Sequence, residues 1–445
     1  MVPPRYRGPS SARDRLSLAR FQELPTLLAP LRYRREADFT SLRLGRAVLG
    51  YLSIVVAIIT LAPFRFETVP AHGLSFVWTW SDLVLNVLMF TPFGFVYQLT
   101  RPRGVGTDWG RVALLGFALS GVIEVAQLFA PSRFTSLFDL GTNTAGALLG
   151  AWVFGRMSLR VRGDLAVHTL ALELPLMGLV YLLIPLCWLV GFGSEGALRR
   201  LLVLVPGLVA GAILGTVHAA YIRPTAPRWW LAATSVGWSV VAFVPGARGD
   251  LSVIVPGAAV VLTVALWLDL RTVRAIASTG GDTVRRFELP TLQRVLPVYT
   301  VFLVLSALWP LDDVTGSWRG TLALALPEAP LTQAGVFRAL EHVAAFTLVG
   351  YMGAEYHGRE PRGGLGALAR IVAWSVAASA LLQMARGFQP NTGASLSLFL
   401  LTQVAAAFGH VLYALQREHV QALVRRRTVL EKFRQSSGVR PVASN

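Results

Sequence analysis

The sequence predicts an all-α, polytopic membrane protein: a helical bundle of about 12 transmembrane helices with a parallel internal repeat of a four-helix unit. Three observations predict it. Hydrophobic residues make up 54% of the 445-residue chain and charged residues 15%, with a mean hydropathy of +0.55. That balance is not one of a water-soluble enzyme. Apolar runs near the 20 residues or so that cross a bilayer core recur twelve times along the chain. The basic residues, nearly all arginine, alternate in density from one connection to the next.

The runs start near Leu44, Thr79, Gly110, Leu137, Val167, Leu198, Trp229, Leu251, Gln293, Gly335, Gly364 and Gly393. The first is long enough to span and follows a polar, arginine-rich leader, so no cleavable signal is expected. Placing both termini in the cytoplasm puts 33 of the 41 basic residues inside and 8 outside. The positive-inside rule accounts for this split and hence for the net charge of +17, whereas nucleic-acid binding would need the basic residues on one soluble face. The single cysteine, Cys187, excludes an internal disulfide and a cysteine-based metal cage. Trp78, Trp80, Trp109, Trp229 and Trp230 stand near span ends, where belt anchoring explains them.

The organisation follows from a shift. Glu23-Leu24-Pro25-Thr26-Leu27 recurs as Glu288-Leu289-Pro290-Thr291-Leu292, and a shift of 256 lays Phe90-Thr91 and Gly94 on Phe346-Thr347 and Gly350, and Gln127 on Gln383. Gly150 falls on Gly409 at a shift of 259. Runs one to four therefore correspond in the same orientation to runs nine to twelve. The expected layout is a basic cytoplasmic arm at 1–43, a four-helix domain at 44–157, a four-helix connector at 158–286, a degenerate second copy at 287–416 and a basic tail at 417–445. Both arms are expected on the anionic inner leaflet, as short helices or disordered segments.

Polar residues at helical spacing mark a candidate site in the first copy. Asp82 and Asn86 share a face of the second helix, Ser120, Glu124 and Gln127 of the third, and Asp139 and Asn143 of the fourth. Topology gathers them at the outer face with Arg133, from the turn between helices three and four. Ionisable groups within a span are costly, so Glu124 needs a partner or a watery recess. A hydrogen-bonded tie between helices could account for part of this set, but three carboxylates beside one arginine exceed what packing needs. In the second copy, the 256 shift puts Arg338 at Asp82, His342 at Asn86, Val376 at Ser120 and Ala380 at Glu124. Asp139 and Asn143 fall near Leu398 and Thr402. Gly94, Gly146 and Gly150 read as helix-packing residues, and Gly146-x-x-x-Gly150 persists as Ala405-x-x-x-Gly409.

Other features take bland readings. Glu341 and His342 are adjacent, so they face different sides of a helix and suit interface bonds better than a paired site. Glu173 beside Pro175 marks the start of a helix, and His218 and His410 lack ligand partners at useful spacing. Gly191-Phe192-Gly193-Ser194-Glu195-Gly196 fits a dinucleotide glycine pattern but follows no strand. No cofactor and no metal is expected.

The polar strings resemble the VanZ-like membrane protein family, named for an accessory teicoplanin-resistance protein. They are Asn86-x-x-x-Phe90-x-Pro92-x-Gly94, Ser120-x-x-x-Glu124-x-x-Gln127, and Arg133 followed by Asp139-x-x-x-Asn143-x-x-Gly146-x-x-x-Gly150. The resemblance runs from about Leu44 to Met157. It implies a role at the cell envelope, in the bacterial cytoplasmic (inner) membrane, and supplies no reaction.

Three functions then compete. An outward-facing pocket could bind or shield an envelope amphiphile, a lipid-linked precursor or a lipoglycopeptide, with Arg133 on an anionic group and Glu124 or Asp139 on amine or hydroxyl donors. A transporter or flippase would suit a repeat, although its site belongs near the midplane. An envelope enzyme would use Glu124 as base and Asp139 as acid, yet no nucleophile elbow, zinc helix or phosphate loop accompanies them. The expected partners are membrane lipids and such a precursor, with no nucleic acid. We favour binding over chemistry.

Overall fold

A bilayer-crossing chain must satisfy its backbone polar groups within each segment, which leaves long helices as the main solution for this composition. The computed structural model describes residues 39–40, 42–71, 73–76, 79–99, 101, 106–160, 175–223, 226–278, 288–311, 316–321, 332–357, 365–389 and 393–436. The first four long helices among them are α1 (Leu42–Leu61), α2 (Trp80–Leu99), α3 (Trp109–Leu128) and α4 (Leu137–Arg160). The next four are α5 (Pro175–Phe192), α6 (Ala197–Ile222), α7 (Arg228–Ala247) and α8 (Leu251–Ser278). Then come α9 (Glu288–Leu308), α10 (Gln333–His357), α11 (Leu365–Arg386) and α12 (Leu396–Ser436). The N-terminal arm through residue 38, with the string at 23–27, lies outside the described residues, as do Trp78, Glu173 and residues 437–445. The tail to Ser436 continues α12, whose 41 residues reach about 60 Å, twice a bilayer core.

Nine of these helices are long and apolar enough to cross a membrane, not the twelve expected, and the chain is a multi-pass helical membrane protein. The three that fall short have physical reasons. The apolar stretch of α5, Leu176–Phe192, is short at about 25 Å, and its side chains are almost wholly buried. The helix α10 carries Arg338, Glu341, His342 and Glu355 but turns most of its surface to other helices. Polar Asp139, Thr142, Asn143 and Thr144 interrupt α4. A helix enclosed by helices need not be apolar, because its polar groups meet protein instead of lipid.

Small residues set the closest contacts. A Cβ on Gly94 would lie 1.8 Å from the Ala147 carbonyl oxygen, one on Gly146 2.4 Å from that of Val87, and one on Gly150 1.9 Å from that of Thr91. Backbones of α2 and α4 therefore touch directly. The same seam joins α10 and α12, where Gly350 meets the Ala406 carbonyl and Gly409 that of Thr347, both at 1.9 Å. Gly211 and Gly215 of α6 face the Val261 and Ala265 carbonyls of α8, and Gly191 of α5 faces Gly246 of α7. Gly191 thus serves helix contact and no phosphate loop. Two indoles lock that last pair reciprocally, Trp188 Nε1 donating to the Val241 carbonyl and Trp238 Nε1 to that of Val180, both at 2.9 Å.

The helices α5–α8 bridge the flanking sets: α5 packs on α10, α7 on α2, and α6 on α9. The outer sets also touch directly. Tyr51 of α1 meets Phe408 of α12 with ring centroids 5.9 Å apart, and Arg43 pairs with Glu418 at 3.1 Å.

Hydrogen bonds correct the register expected between α3 and α11. Ser136 N donates to Glu124 Oε2 at 2.9 Å, and Ser395 N donates to Gln383 Oε1 at the same distance. Asn143 meets Ser120 at 2.9 Å, and Thr402 meets Ser379 at 2.7 Å. Gln383 therefore stands where Glu124 does, and Ser379 where Ser120 does, in place of Ala380 and Val376. The stretch from Gly350 to Ser379 is three residues longer than that from Gly94 to Ser120, which a single shift of 256 cannot absorb.

Replacing Gly150 with leucine should strongly reduce folded protein in membranes, because its Cβ has no room against the Thr91 carbonyl. Gly237→Ala, with nothing within 4 Å of the added carbon, should leave abundance and melting temperature unchanged. Blotting and thermal unfolding in detergent check both.

Candidate functional site

The candidate residues of α2, α3 and α4 lie at one end of the first four helices, graded from surface to interior. Asp82 is exposed in the first turn of α2, Asn86 one turn on is half-buried, and Asp139 in the first turn of α4 is half-buried. Glu124, Ser120, Asn143 and Gln127 are buried. Helical spacing explains why each set shares a face. The α2–α4 seam explains why the faces meet.

Local chemistry fixes each member. Thr79 and Asp82 form a reciprocal cap at the start of α2: the Thr79 hydroxyl donates to Asp82 Oδ2 at 2.7 Å and accepts from the Asp82 amide at 3.2 Å. Asn86 donates to Asp139, and Asp82 and Glu124 both lie within electrostatic range of that carboxylate. Glu124 accepts the amide of Ser136 across the α3–α4 connection, and the Thr135 hydroxyl reaches the Glu124 carbonyl at 3.3 Å. The connection is further held by a parallel bridge between Ser75 and Ser136. The amide oxygens of Gln127 and Asn143 and the Ser136 hydroxyl are buried without a hydrogen-bond partner.

Arg133 differs from its expected use. Its Nη2 donates to the carbonyls of Ile59 at 3.2 Å and Ala62 at 2.7 Å, and Gln127 Nε2 donates to the Thr60 carbonyl at 3.2 Å. These carbonyls end α1, where no next turn exists to take them. Burial, and more distantly Arg248, lowers the Arg133 pKa from the ordinary guanidinium value. One arm of the guanidinium therefore anchors α1.

The corresponding end of α9–α12 has no carboxylate at these places. Arg338, Gln383 and Leu398 stand for Asp82, Glu124 and Asp139, and Arg386 for Gln127. Instead, Arg199 at the start of α6 reaches Glu341 at 2.9 Å with both side chains buried, and Arg386 Nη1 donates to His342 Nε2 at 2.9 Å. Glu341 and His342 thus bind different partners, as adjacent residues on a helix must. His218, which has no metal-ligand partner at useful spacing along the chain, does have a hydrogen-bond partner: its Nδ1 lies 2.8 Å from Asp269 Oδ1, 51 residues away on α8. No local spacing could disclose a pair between two helices; the only signal was a lone aspartate in an apolar run.

Among the described residues no group of three His, Cys, Asp or Glu side chains is placed to hold a metal ion.

Comparison with known proteins adds one match: residues 36–158 match the VanZ/LLP1 family model, a stretch that holds α1–α3, all but the last two residues of α4 and all eight polar candidates. No curated protein and no solved structure matches the chain.

Arg133→Gln should lower the melting temperature in detergent, by the loss of charge-assisted bonds each worth roughly 1.5–3 kcal/mol. The exposed neighbour Ser132, changed to alanine, should not.

Proposed function

We propose that the outer end of residues 36–158 of this membrane protein, the stretch that matches the VanZ/LLP1 family model, binds the headgroup of an envelope amphiphile, a lipid-linked precursor or a lipoglycopeptide. The protein resides in the bacterial cytoplasmic membrane with both termini inside, the arrangement that leaves most arginines in the cytoplasm. One observation carries the reading. The site is rich in acceptors, with Asp82, Glu124 and Asp139 beside the unpartnered oxygens of Gln127, Asn143 and Ser136. An ionised carboxylate only accepts hydrogen bonds, so the matching ligand brings amines and hydroxyls. The graded burial suits a polar group entering from the surface, while the exposed apolar faces of α3, with Phe117, Val122 and Val125, meet an acyl chain.

Binding, not turnover, fits the groups present. Glu124 is fixed by the Ser136 amide and Asp82 by its cap, so both are held to accept hydrogen bonds from a ligand. A site confined to one end of one helix set also differs from the midplane site of transport.

The second half of the chain supplies a well-matched test variant. Gln383 accepts a serine amide in the same way as Glu124, so Glu124→Gln should preserve that bond while removing the charge. A sensitive host expressing the wild type should gain several-fold resistance to teicoplanin but not to vancomycin, which lacks a lipid tail. Glu124→Gln and Asp139→Asn should each lose that protection at equal membrane abundance. Full protection by both variants would overturn the site; no protection by the wild type would detach it from lipoglycopeptides.

A further inference from the structure

The second constellation lies at the opposite end of the bundle, within α6–α8. We propose that His218, Arg223 and Arg228, held by Asp269, form a site for a phosphate group with an adjoining hydroxyl, as carried by an anionic phospholipid headgroup.

The end of α6 widens into a π turn over His218–Ile222, closed by the Arg223 amide donating to the His218 carbonyl at 2.8 Å. In an α-helix a residue five positions on points away from the first; the wider turn brings it back toward the same face. His218 and Arg223 thereby both reach Asp269, which is fully buried on α8. His218 Nδ1 donates to Asp269 Oδ1 at 2.8 Å, while Arg228 Nε and Arg223 Nη1 lie 3.4 and 3.7 Å from Oδ2.

The charges and the hydrogen bonds are both incomplete. Two guanidinium groups share one carboxylate, leaving positive charge in excess. His218 Nε2, Arg223 Nη1 and Asp269 Oδ2 are buried without a hydrogen-bond partner, the last with two guanidinium groups within 4 Å. Buried polar atoms of this kind call for a completing group. An anion answers the surplus charge, and a hydroxyl donates to Nε2, whose lone pair is left open once Nδ1 holds the proton.

The place suits a lipid. Arg223 and Arg228 are 34% and 49% exposed, so the cluster around Asp269 opens to the surface. Trp229 and Trp230 stack edge to face at 5.8 Å beside them at the start of α7, as tryptophans do at headgroup level. Basic recesses between spanning helices at the arginine-rich end bind anionic headgroups.

Thermal unfolding of the purified full-length protein in a neutral detergent tests this. Added phosphatidylglycerol should raise the melting temperature by several degrees and phosphatidylcholine should not. Arg223→Gln with Arg228→Gln should remove at least half of the rise, whereas Arg271→Gln with Arg274→Gln, exposed on α8, should keep it. Millimolar inorganic phosphate reproducing the rise would assign the site to free phosphate; no effect of phosphate would assign it to the lipid. Equal responses of the wild type to the two lipids, or an undiminished rise in the Arg223/Arg228 variant, would overturn the proposal. Should that variant not accumulate, native mass spectrometry of the wild type against His218→Gln decides: preferential retention of phosphatidylglycerol reduced by His218→Gln supports the site, and equal retention refutes it.

Discussion

Backbone contact between α2 and α4 governs the first four helices. In a membrane no hydrophobic force drives one apolar helix onto another, so association rests on close packing and on polar groups that meet. Gly94, Gly146 and Gly150 permit an approach at which a single added carbon would overlap a carbonyl. That approach brings Asn86 to Asp139, and the fourth helix brings Asn143 to Ser120. The polar site is therefore a consequence of the seam. A looser crossing would separate these partners and leave each polar group alone in an apolar setting.

The second constraint is the expense of burying charge. Where the protein encloses an ionisable group it supplies a specific partner: Arg199 for Glu341, Arg386 for His342, Asp269 for His218. Each pair joins separate helices, so it fixes both rotation and depth. A buried ion pair contributes little net stability compared with apolar packing but penalises wrong arrangements strongly. The enclosed helices α5 and α10 show how the two constraints combine. One is short and apolar, the other long and charged, and both are tolerated because neither faces much lipid.

The two ends of the chain use one geometry for different chemistry. Gln383 and Glu124 each accept a serine amide, and the glycine seams agree to within about a tenth of an ångström in their closest approach. Yet Arg338, Gln383 and Leu398 stand in α9–α12 where Asp82, Glu124 and Asp139 stand in α2–α4. Packing residues and polar residues thus vary independently, as is expected when the former answer to shape alone.

Hydrophobic run length set the number and order of the long helices, and helical spacing set which polar residues share a face, so Asp82, Asn86, Ser120, Glu124, Gln127, Asp139 and Asn143 were legible from sequence. Both are local properties of the chain. Tertiary structure alone decided what lies opposite each face. It gave Arg133 to the carbonyls ending α1, moved Gln383 into register with Glu124, enclosed α10 despite its charges and joined His218 to Asp269. A single sequence has a period but no record of the distance or rotation between helices, and those are fixed only when the glycine seams and buried pairs close together.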